Sequence, residues 1–193
     1  MIMFIQTEPT PNPLTLKFLP GRIVMDKGTI FFKNKSSCKN SPFAERLFSV
    51  EGVVSVFFGN DFITITKDEK YDWQVLKPSI LGSIADHFNS NEETISKTNN
   101  NQKKDSSDFS KSNPKETKIV KQIKELLDTR VRPAVAMDGG DIIFQSYKNG
   151  IVYLHMQGAC SGCPSSTATL KVGIENMFKH YIPQVKEVRP VEA

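Results

Sequence analysis

The chain has 193 residues, 38 % of them hydrophobic and 24 % charged, with a formal net charge of +4. That length accommodates one mid-sized domain or two small ones, and no apolar run approaches the roughly 20 residues that a membrane-crossing helix needs. Basic and acidic residues stand at ten to nine over residues 1–88, four to four over 89–113 and eleven to eight over 114–193. No basic stripe interleaved with aromatics marks a nucleic-acid groove, so neither nucleic acid nor membrane is expected as a partner. The opening MIMFIQTEPTPNP has neither the charged start and long apolar core of a secretory signal nor the Arg-rich helix of a transit peptide. The expectation is an unexported protein of the bacterial cytoplasm, with the mitochondrial matrix as the alternative if a presequence has been removed.

In chain order, LTLKFLPG and GTIFFK read as short strands around the turn signal Pro20-Gly21. Ser41 is placed to cap a helix whose first residue is Pro42 and whose apolar face carries Phe43, Leu47 and Phe48. VVSVFFGNDFITITKDE predicts a hairpin turning at Gly59-Asn60-Asp61, and DWQVLKPSILGSIADHF a helix kinked or broken at Pro78. The order is β-β-α-β-β-α, with Trp73 and the phenylalanines of this half as its core.

Residues 89–113 are rich in Asn, Ser and Lys, with Ile95 and Phe109 as the sizeable apolar residues. Such a stretch buries too little apolar surface to offset its ordering entropy and is expected to be a flexible linker. Beyond it, Asn113-Pro114-Lys115-Glu116 resembles a capping box opening a helix, along which Ile119, Ile123, Leu126, Leu127 and Val131 share a face. Pro133 predicts that this helix ends near Arg132. A hairpin follows, turning at Lys148-Asn149-Gly150, with Val152, Leu154 and Met156 on one face of its second strand. Pro164 opens a helix with a stripe of Leu170, Ile174, Met177 and Phe178, and QVKEVRPV is a final strand. The reading is an α+β protein of two small α+β domains, residues 1–88 and 114–193, joined by the linker 89–113.

The chemistry lies in GACSGCPSS, residues 158–166, which holds two of the three cysteines. Cys160 and Cys163 can reach one metal, or adjacent metals of a cluster, if the backbone between them turns tightly, and Gly158, Ala159, Ser161 and Gly162 suit such a turn. The N–H groups of Ser165, Ser166 and Thr167, at the positive end of the following helix, would favour negative sulfur and lower a thiol pKa. Iron–sulfur clusters and structural zinc usually take four protein ligands, and one chain offers two. Two copies related by a two-fold axis would close such a site between them. Zinc, and thiol–disulfide exchange through the same pair, are the alternatives; a thioredoxin-like βαβ frame upstream is missing.

The string GACSGCPSSTATLKVGIENMF, with Arg132-Pro133 and Asp138-Gly139-Gly140-Asp141 before it, closely resembles the C-terminal domain of NifU-like (Nfu) iron–sulfur assembly proteins. FIQTEPTPNPLTLKF, SPFAERLFSVEGV and the IADHF helix resemble the Nfu N-terminal domain. The resemblance implies a non-enzymatic scaffold or carrier. It would hold a [4Fe–4S] cluster between two subunits through Cys160 and Cys163, although two thiolates per chain equally suit a bridging [2Fe–2S] centre. It would receive the cluster from upstream assembly factors and hand it to apo-proteins. Outside that pair, Asp138-Gly139-Gly140-Asp141 is expected to be a turn, His155 a surface histidine rather than a ligand, and His87 and His180, near helix ends, unremarkable as ligands. Cys38, in KNKSSCKNS, is expected to be a free surface thiol.

Overall fold

The computed structural model describes residues 4–90, 92–95, 114–161 and 164–191. They form two α+β domains, each a sheet with helices on one face. The capping box expected at Asn113, and most of the expected linker, lie outside the described residues.

The first domain comprises β1 (Gln6–Pro9), β2 (Thr15–Leu19), β3 (Ile30–Phe32), α1 (Pro42–Phe48), β4 (Val53–Phe58), β5 (Ile63–Lys67) and α2 (Trp73–Ser90). Its strands form an antiparallel sheet in the order β1-β2-β5-β4-β3. Strand β1 is absent from the sequence reading because QTEP carries no apolar alternation; it is mostly exposed and occupies the sheet edge, where proline is tolerated. Ser41 caps α1 as expected, its hydroxyl accepting the N–H of Ala44 at 3.1 Å. The core forms between the helices and the inward side chains Leu16, Phe18, Val56, Phe58, Ile63 and Ile65. Of the kink or break expected at Pro78, the break does not occur: helix α2 runs on through it. It extends to Ser90, and residues 92–95 return to the domain, with the Ser41 hydroxyl donating to the Thr94 carbonyl at 2.6 Å.

The second domain comprises α3 (Pro114–Leu126), α4 (Arg132–Met137), β6 (Gly140–Lys148), β7 (Ile151–Gly158), α5 (Pro164–Tyr181) and β8 (Glu187–Val191). The expected helix end near Arg132 is corrected. Between α3 and α4 the chain makes one π turn, Leu127–Val131, with the N–H of Arg132 reaching back five residues to the Leu127 carbonyl. This wider turn lets Pro133, which lacks an N–H, enter as an early residue of a new helical segment. Strand β7 is central, antiparallel to β6 and parallel to β8, with α5 as the crossover. Alternate β7 residues Val152, Leu154 and Met156 are buried against Ile123, Leu127, Ile174 and Phe178, matching the expected face.

Candidate metal centre

Strand β7 delivers the cysteine loop. It ends at Gly158, paired with Gly140 of β6. The backbone then turns under its own hydrogen bonds: Ala159 N–H to Gly139 O at 3.1 Å, Cys160 N–H to Gln157 O at 3.3 Å, and Ser161 N–H to Gly158 O at 3.1 Å. The Ser161 hydroxyl donates to the same Gly158 carbonyl at 3.0 Å. Helix α5 starts at Pro164, as expected. Cys160 is 5 % exposed and belongs to the second domain's core. Its sulfur rests on Gly140, where a Cβ would lie 2.5 Å away, so a side chain at position 140 would displace the thiol. Cys163 and Gly162 lie outside the described residues.

The Cys160 thiol is not activated in this arrangement. Burial, reinforced by the nearby Asp138 and Asp141 carboxylates, pushes it up to about 12. Desolvation, which penalises the thiolate, acts against the lowering expected from the helix start. A metal at this sulfur therefore has to expel a tightly held proton, or the sulfur has to be uncovered first.

The Asp138-Gly139-Gly140-Asp141 stretch is the expected turn between helix and strand, but its last residue does more than turn the chain. Asp141 is 3 % exposed and accepts from Arg132 Nε on Oδ1 and Arg132 Nη2 on Oδ2, both at 2.8 Å. Its oxygens also accept the Ile142 N–H at 2.8 Å and the Thr29 hydroxyl at 2.7 Å. The hydrogen bond to Asp141 raises the pKa of the Arg132 guanidinium. The pair forms where the helix resumes after the π turn, at Arg132. Sequence reasoning missed it, although Arg-Pro followed by an acidic Gly-Gly turn carries both partners.

The histidines stay apart from this chemistry. Nδ1 of His155 lies 3.2 Å from the Val191 carbonyl of β8. His87 is buried in the first domain, stacked on Phe43 with ring centroids 3.8 Å apart, and burial lowers its pKa. His180 packs edge-on against Tyr181. Cys38 requires a correction: it is 1 % exposed within the first domain's core, where its thiol donates to the Lys35 carbonyl at 2.8 Å. The 3-10 turn Lys35–Ser37, capped by Asn34, folds this polar stretch inward and buries the one small apolar side chain it contains. Among the described residues, no group of three or more His, Cys, Asp or Glu side chains is arranged to hold a metal ion.

The sequence patterns of two families match the chain in tandem. The one described as "Scaffold protein Nfu/NifU N terminal" covers residues 5–91, and the "NifU-like domain" covers residues 123–189. The human protein named "NFU1 iron-sulfur cluster scaffold homolog, mitochondrial" is 48 % identical over 195 residues, a match covering 98 % of this chain and 72 % of that protein. The chain belongs to the Nfu/NifU-like scaffold family. Other members are comparably close. The Drosophila willistoni protein named "NFU1 iron-sulfur cluster scaffold homolog, mitochondrial" is 50 % identical over 98 % of this chain, and Arabidopsis thaliana "NifU-like protein 4, mitochondrial" is 47 % identical over 96 %. The chain spans 64 % and 65 % of the length of those two relatives. Their names overturn the expectation of a bacterial cytoplasmic protein: all three are named mitochondrial, which fits the mitochondrial alternative.

Proposed function

We propose that this Nfu/NifU-like chain carries an iron–sulfur cluster between Cys160 and Cys163 of one copy and the same pair of a second copy, and delivers it to apo-proteins. The observation that carries the reading is the ligand count. The loop at the end of β7 supports one thiol on Gly140, the sequence supplies a second three residues later, and no third ligand joins them from the described residues. Four thiolates from two copies meet the usual demand of a [4Fe–4S] cluster, with [2Fe–2S] as the smaller option. The cluster is cargo: the chain binds it, shields it and releases it, without transforming a substrate of its own. Upstream assembly factors supply it, and recipients are iron–sulfur apo-proteins. In this reading residues 1–88 and 114–193 are the two working units, and the connecting stretch 89–113 starts on the first domain, where α2 runs to Ser90 and residues 92–95 pack back.

Thiol–disulfide exchange is the weaker reading. It needs a thiolate at neutral pH, which the burial of Cys160 in the second domain's core disfavours at that sulfur. The test is Cys160→Ser and Cys163→Ser in the full chain under anaerobic reconstitution with iron and sulfide. Each variant is expected to lose cluster absorption while keeping its far-UV circular dichroism. Full cluster content in either variant would overturn the ligand assignment.

A further inference from the structure

The first domain's sheet has a second face, pointing away from its helices, and the middle of that face is closed to solvent. Phe57 lies on it, fully buried, as does Lys17, which is 7 % exposed. Both are covered by the second domain at the cysteine loop. A Cβ at Gly158, whose φ is +62°, would sit 3.1 Å from the Phe57 ring and 2.6 Å from the Gly139 carbonyl. Four side chains of the first domain donate hydrogen bonds across the contact. Thr64 Oγ1 reaches the Gly139 carbonyl at 2.7 Å, and Lys17 Nζ the Met137 carbonyl at 3.0 Å. Thr29 Oγ1 reaches Asp141 at 2.7 Å, and Asn12 Nδ2 the Ser161 carbonyl at 3.3 Å. The acceptors bracket Cys160 in sequence and surround Gly140, on which its sulfur rests.

We infer that this sheet face is a docking surface for the cysteine loop, and that the first domain and a second copy of the chain compete for the same ground beside Cys160. The inference rests on the shared-cluster reading for its second half: two loops can meet around one cluster only after Phe57 and Asn12 withdraw from Gly158 and Ser161. The contact is suited to reversal. Most of its acceptors are backbone carbonyls that water satisfies equally well, and polar contacts between domains of one chain ordinarily permit relative motion. The capped chain is then the empty form, and uncapping precedes pairing of two copies.

The test uses the full chain with Cys38→Ser and Cys163→Ser, leaving Cys160 as its one thiol, and follows alkylation by iodoacetamide at fixed pH. Adding Phe57→Glu and Thr64→Glu, both on the outer face, is expected to raise the Cys160 rate about tenfold or more, as loss of a local protecting contact does. Lys17→Glu is read in the same way and decides the matter if the double variant does not fold. Unchanged rates would overturn the docking inference. This readout needs no cluster, so it is independent of the shared-cluster reading. With the native cysteines restored, the uncapped variant is expected to form the reconstituted dimer faster by size-exclusion chromatography. Faster alkylation with unchanged dimer formation would overturn the competition.

Discussion

Arg132 grips Asp141 through two parallel hydrogen bonds of 2.8 Å, one from Nε and one from Nη2. The carboxylate is buried one residue beyond Gly140, so the ion pair anchors the start of β6 directly beneath the cysteine sulfur. Removing the cation leaves a buried carboxylate without its counter-charge. Arg132→Leu is expected to destabilise the second domain by about 2 kcal/mol in urea melts, less than the roughly 3–5 kcal/mol of a fully buried pair, because the arginine side chain is 38 % exposed. A change under about 0.5 kcal/mol would mean that the pair is electrostatically idle.

Gly158 closes β7 with φ +62° and has the Gly139 carbonyl against its empty side. Gly158→Ala adds a methyl where the left-handed backbone already costs about 1–2 kcal/mol. Its expected result is a second domain weakened by about 2 kcal/mol or more, read as a lower urea midpoint. An unchanged midpoint would show that the loop relaxes without loss.

His87 makes stability depend on pH. Burial, with a smaller contribution from Arg46, lowers its pKa below the ordinary 6.5, and Glu92 only partly opposes this. The unfolded chain therefore binds a proton before the folded one does, so stability falls as pH drops below about 6.5. Replacing His87 with Phe, which keeps the stack on Phe43, is expected to flatten that part of the first domain's pH profile. An identical slope in the variant would locate the acid sensitivity elsewhere.

Cys38 is expected to resist alkylation in the native apo-protein, since its thiol is enclosed and burial pushes its pKa up. Mass spectrometry after brief labelling should find Cys38 unmodified in the native chain and modified in urea. Rapid native labelling would contradict the burial.

The elements that the sequence revealed are those whose signals are local. Ser41-Pro42 announces α1, Asn149-Gly150 fixes the β6–β7 turn, and the alternation of Val152, Leu154 and Met156 marks the core side of β7. Features decided by distant residues were hidden. Strand β1 forms because β2 offers it an edge, and α4 resumes past Pro133 because a π turn absorbs the missing N–H. Phe57, a core residue by sequence, faces the cysteine loop. VVSVFF did carry a signal: apolar residues at successive positions mark a strand covered on both faces. The C-x-x-C spacing of Cys160 and Cys163 is visible in the sequence, whereas the burial of the Cys160 thiol depends on partners far along the chain.

The most direct test of the shared cluster is anaerobic reconstitution of the full chain, with iron and sulfide assays, Mössbauer spectroscopy and size-exclusion chromatography on the same sample. About four irons and four sulfides per dimer are expected, with cluster-dependent conversion of monomer to dimer. A cluster held by the monomer, or no cluster together with a reversible Cys160–Cys163 disulfide, would contradict it.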